Sequence, residues 1–142
     1  MRVLVDTNVF LDFLLKRPPF FEDAKAFFSY FLKHHHQIVV SPMSFRDIEY
    51  VLRKIEPDPT ERKKVLHSIY DIAFKIIDLG PDDVINNLFA DHKDFEDGLL
   101  MESAERNMLD GIVTNNVDNY SGSKVPVFSP RAIIEKLVSA DS

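Results

Sequence analysis

The chain contains no cysteine, so neither a disulfide framework nor thiolate coordination of a soft metal can contribute to its fold or chemistry. Tryptophan is absent as well, and the aromatic content comes chiefly from 12 Phe. The four glycines, Gly80, Gly98, Gly111 and Gly122, stand apart from one another. That spacing excludes a phosphate-cradling loop or dinucleotide fingerprint, both of which need clustered glycines. No serine nucleophile elbow and no Cys-His pair occurs, so covalent hydrolase chemistry has no candidate. No apolar run reaches the roughly 20 residues of a membrane-spanning helix. The start of the chain also lacks a signal-peptide-like apolar stretch, so a soluble protein in a bacterial-type cytoplasm, without a membrane partner, is expected. Positive charge is scarce: 17 Lys and Arg against 23 Asp and Glu leave a net charge of −6, which argues against a broad nucleic-acid-binding face.

What is present fits one globular domain over residues 1–142, with 45% hydrophobic residues and a phenylalanine-rich core. Val3–Val5, Ile38–Val40, Lys75–Leu79 and Gly111–Val113 are short apolar runs, each closed by a turn or polar cluster, and Val125–Phe128 is a further candidate strand. Between them lie segments of helical period. In Phe20–His36, for example, Phe20, Ala24, Phe27, Phe28, Phe31 and Leu32 recur at intervals of three and four. A helix from Pro130 to about Val138 carries a stripe of Ile133, Ile134, Leu137 and Val138, able to close the core or to bury against a second subunit. Alternating strands and helices imply an α/β fold with a parallel sheet, whose ligand crevice lies beyond the carboxyl ends of the strands.

Acidic residues are distributed to meet there. Asp6 follows the first strand, Asp118 follows the fourth, and Asp47 and Asp97 lie near the first turns of helices beginning around Met43 and Asp94. Converging carboxylates repel unless a cation neutralises them. Oxygen donors without thiolates suit Mg²⁺ or Mn²⁺, which can activate water and offset charge developing on a phosphoryl group.

Together, Asp6-Thr7-Asn8, Ser44-x-x-Asp47, Asp94-Phe95-Glu96-Asp97 leading to Ala104, Gly111-Ile112-Val113-Thr114-x-Asn116 and the early Arg17-Pro18-x-Phe20 resemble a PIN domain of the bacterial VapC-like branch. The likeness runs from Arg2 to about Tyr120. It implies a three-layer α/β/α fold with a central parallel sheet of four to five strands. It further implies a Mg²⁺- or Mn²⁺-dependent endoribonuclease acting on an RNA substrate, with an antitoxin protein as partner and a homodimeric state. By position, Asp6, Asp47 and Asp97 would be catalytic metal ligands, and Asn8 and Thr114 would orient ligands or water. At the fourth position related sequences usually carry Asp directly before an aromatic, whereas this chain has Asn119 there and Asp118 beside it. Either Asp118 completes the site, or three carboxylates work with Asn116. Arg46, adjacent to Asp47, is the candidate phosphate contact, and a salt bridge to Glu49 or Asp12 is its competing role.

The alternatives are plainer. Asp6 could cap a helix near Val9, Asp94 reads as a helix cap, and Asp97 could be its capping-box acid. Glu49 should pair with Arg53, and Asp12, Glu22, Asp23, Asp82 and Asp83 are expected on solvated faces or helix starts. His34-His35-His36 reads as a polar helix end, and His67 and His92 as single residues without a partner. Two other functions compete: a catalytically weak PIN-like module that binds RNA or protein, and a phosphatase or phospho-receiver using Asp6. Asn8, where a phosphatase would carry a second Asp, speaks against the last.

Overall fold

A computed structural model describes residues 1–141. Five strands form one parallel sheet: β1 (Arg2–Val5), β2 (Gln37–Val40), β3 (Lys75–Ile76), β4 (Gly111–Val113) and β5 (Val127–Phe128). Their spatial order is β3-β2-β1-β4-β5, with Val3 opposite both Ile38 and Gly111. The helices are α1 (Thr7–Leu14), α2 (Phe21–Lys33), α3 (Pro42–Leu52), α4 (Pro59–Ile72), α5 (Pro81–Phe89), α6 (Phe95–Arg106) and α7 (Pro130–Asp141), and a 3-10 turn spans Val117–Tyr120.

Strand side chains alternate between two apolar layers, as the pleat dictates. Val3, Val5, Ile38, Val40 and Val113 face a core built with Phe10, Phe27, Phe28 and Phe31 of α1 and α2, Ile48 of α3 and Ile133 of α7. Leu4, Val39 and Ile112 face the other way, onto Leu100, Met101 and Ala104 of α6, with Tyr120 and Ile77. The expected Phe-rich core therefore lies on one face of the sheet, and the three-layer arrangement follows from burying both.

Local chemistry sets the helix starts. α3, α4, α5 and α7 each begin with proline, whose missing N–H costs nothing at that position. Ser41 accepts a capping bond from the Met43 amide (3.1 Å) and Asp58 from that of Thr60 (2.9 Å).

Several boundaries differ from the sequence expectation. α2 stops at Lys33, before the histidine run, and His35 turns the chain with φ 60°. β3 keeps only Lys75–Ile76 of Lys75–Leu79, because the Asp78 carbonyl is taken by Ser103 (2.9 Å) and Arg106 (3.0 Å) of α6. β5 begins at Val127, since Pro126 has no N–H to pair and the Val125 amide bonds Ser123 Oγ (3.2 Å). α7 continues to Asp141. Its Ile133 and Leu137 close the core while Val138 is 48% exposed, so the stripe divides between core and surface.

Of the acids expected on solvated faces or helix starts, Asp12 is buried on α1, and Asp83 sits in the first turn of α5 but is buried there. Asp12 is 3% exposed and binds Arg17 (3.4 Å) and the Asn115 amide group. Asp83, at 1%, accepts from the Gly80 amide (2.9 Å) and from both Nε and Nη2 of Arg106 (2.9 and 2.8 Å). Each is inside because a cation and further donors accompany it, the condition for burying charge.

Candidate metal centre and active site

β1 and β4 end side by side, and the Asp6 amide extends the pairing by donating to Val113 O (2.9 Å). Asp6 is thereby delivered to the carboxyl edge of the sheet beside Thr114. It stands at the N-cap of α1, yet its carboxylate makes no capping bond. Instead Oδ2 accepts from Thr114 Oγ1 (2.9 Å), Asn8 Nδ2 (3.2 Å) and Tyr120 Oη (2.9 Å). Asn8 Oδ1 in turn accepts from the Asn115 amide (3.2 Å), and Thr114 Oγ1 accepts from that of Asn116 (3.1 Å). The first strand, its helix and the loop after β4 are thus tied around one carboxylate.

Asp47 arrives from α3. Ser44, buried one turn earlier, shares a 2.8 Å hydroxyl contact with Thr7, registering α3 against the start of α1. Asp97 arrives from α6. Asp94 takes the capping role, accepting from the Asp97 amide (2.9 Å), which leaves the Asp97 carboxylate to accept from Tyr120 Oη (3.1 Å).

Asp6, Asp47 and Asp97 line one cleft of about 340 Å³ with Asn8, Arg17, Ser44, Glu96, Asn116 and Asn119. Asp118 does not join them; it is exposed on the 3-10 turn. With three residues per turn, Asn116 and Asn119 share a side of that turn and Asp118 points about 120° away. Arg46 is also outside the lining. Its side chain is 81% exposed and meets neither Glu49 nor Asp12 but Asp47, at 3.3 Å. Glu49 is engaged by Arg53 (2.8 Å) and Arg62 (3.2 Å). The cleft cation is Arg17, whose guanidinium Asp12 holds from below the surface. His92 has a partner after all, Glu102 at 3.3 Å, away from the cleft.

The electrostatics are those of crowded, half-buried anions. Burial pushes the Asp6 carboxyl above its ordinary range despite donors from Thr114, Tyr120 and the Thr7 backbone, and Asp47 adds to the rise. Asp97 is pushed up to about 6 by burial and then by the charges of Asp6 and Asp94. Burial and the two carboxylates raise the Tyr120 phenol well above its normal value, so it stays a donor. Among the described residues no three acidic or histidine side chains are grouped closely enough to hold a metal ion as they stand. The donor set is nonetheless all oxygen and short of positive charge, which fits a hard divalent cation. Tyr120 escaped the sequence reading, and Asn119 entered it only as the residue standing where an acid is usual. Only the aromatic's position beside the displaced acid hinted at Tyr120, and its hydroxyl finds both partners, Asp6 and Asp97, more than 20 residues earlier in the chain.

A family model described as PIN domain matches residues 2–118. No curated protein matches the chain in sequence. Among solved structures it is similar to VapBC2 from Rickettsia felis, crystallised with a DNA fragment from its promoter. There the TM-score is 0.65 at 14% identity, over 91% of this chain and 98% of that one. It is also similar to a toxin-antitoxin complex from Klebsiella pneumoniae, with TM-score 0.63 and 18% identity over 90% of this chain and 97% of the other.

Proposed function

This chain belongs to the PIN domain family, and on that premise we propose that it is an endoribonuclease dependent on Mg²⁺ or Mn²⁺, the toxin of a toxin-antitoxin pair. The observation that carries the reading is the meeting of Asp6, Asp47 and Asp97, delivered by three separate elements, in one cleft at the carboxyl edge of the sheet. Those three carboxylates would hold the metal. When bound, the ion would supply Lewis acidity and lower the pKa of its water. Asn8, Thr114 and Tyr120 fix the Asp6 carboxylate, so that little reorganisation is needed as charge develops. Arg17, bent over Asp12, is the cation best placed to meet an RNA phosphate. Asn116 and Asn119 offer amide donors and acceptors where a fourth acid would stand.

The fold neighbours are toxin-antitoxin proteins, which supports an antitoxin partner. An exposed apolar row on α5, Ile85, Leu88 and Phe89, supports a homodimer. An enzyme acting on cellular RNA would work in the cytoplasm. The exposure of Asp118 and the amide at Asn119 favour one competing reading, a catalytically weak module that binds RNA or protein. Purified protein incubated with end-labelled structured RNAs in Mn²⁺, Mg²⁺ or EDTA, beside an Asp97→Asn control, separates the two. The nuclease reading expects metal-dependent cutting that the substitution abolishes. No cutting in any lane, with no heat on metal titration, leaves the non-catalytic module.

A further inference from the structure

Tyr120 closes the 3-10 turn with its ring packed against Leu4, Leu100 and Ile112, and it is 2% exposed. Phenylalanine would fill the same apolar space, so the hydroxyl answers to something other than packing. Its two partners are Asp6 Oδ2 at 2.9 Å and Asp97 Oδ1 at 3.1 Å, one carboxylate at the end of β1 and the other on α6. A phenol has one hydrogen, so it serves two anionic acceptors by holding both within reach of the same O–H.

We infer that Tyr120 is a positioning residue for the metal centre, its hydroxyl holding the Asp6 and Asp97 carboxylates at the mutual placement from which they bind a divalent cation. The inference rests on the metal-dependent reading above. The two acids depend on this hydroxyl unequally. Asp6 Oδ2 keeps two further donors, Asn8 and Thr114, whereas among the described residues Tyr120 is the one side chain that donates to Asp97. Removing the hydroxyl therefore frees Asp97 to leave the site under repulsion from Asp6, while Asp6 stays anchored. All three side-chain donors to Asp6 also take the same oxygen, Oδ2. Partners of this kind, outside the ligands themselves, typically govern about 10- to 100-fold in metal affinity.

The test is calorimetric titration of wild type and Tyr120→Phe with MnCl₂ at pH 7.5, alongside thermal unfolding in EDTA. The inference expects Mn²⁺ binding weaker by about tenfold or more, an unchanged melting temperature in EDTA, and RNA cleavage restored by saturating Mn²⁺. Equal or tighter Mn²⁺ binding by the variant overturns the positioning role. A wild type that binds no Mn²⁺ overturns the metal-dependent reading itself, and the positioning role with it.

Discussion

Replacing Asp97 with asparagine should stabilise the metal-free protein at neutral pH while removing one of the three carboxylates proposed to hold the metal. Asp97 has its folded pKa raised from 3.8 to about 6 by burial, Asp6 and Asp94. Between those values the folded chain binds more protons than the unfolded chain, so this group lowers stability progressively as pH rises from 4 to 6, and the full penalty persists above 6. Two units correspond to about 3 kcal/mol at 1.36 kcal/mol per unit. Asp97 is only partly buried, and solvent screening reduces the expected figure to about 1–2 kcal/mol. Asparagine keeps the oxygen that accepts from Tyr120 and removes the charge. For a chain of this size the gain amounts to a rise of about 5 °C in melting temperature at pH 7.5, shrinking toward zero by pH 4. Thermal unfolding in EDTA across that range provides the measurement, and excess Mn²⁺ should reverse the ranking because only the wild type gains a fold-specific ligand. A variant less stable than wild type at pH 7.5, or one whose advantage is the same at pH 4, would refute the reasoning.

Arg106→Ala should destabilise by about 3 kcal/mol, seen as a lower urea midpoint, since it leaves the Asp83 carboxylate buried without its cation. Burial works to raise the Asp83 pKa, but Arg106 and the Gly80 amide hold it below the usual value. The wild-type advantage should therefore be full above pH 4 and fade as acid protonates Asp83. Asp118→Ala should leave metal-dependent cleavage within about twofold, as for other exposed positions; a tenfold or greater loss in single-turnover assays would restore it as the fourth ligand.

Strand runs ending in polar clusters, helical phenylalanine spacing and proline at helix starts are local signals, because a single pleat or turn obeys its own period. They were enough for the parallel α/β architecture and for the expectation that acids from distant segments converge. Asp94 was legible as a cap for the same reason. The rest depended on contacts between residues far apart in sequence. Asp12 and Asp83 look like surface acids until Arg17, Asn115 and Arg106 are brought beside them. Arg17 rather than Arg46 faces the cleft because Asp12 holds it there. The phase of one 3-10 turn sends Asn116 and Asn119 to the cleft, Tyr120 into the core and Asp118 away from both, a choice that no residue count reveals. The sequence by itself determined which elements form and which acids were available. Only the tertiary structure decided which oxygen meets which donor, because a hydrogen bond depends on tenths of an ångström and on angles that chain order does not encode.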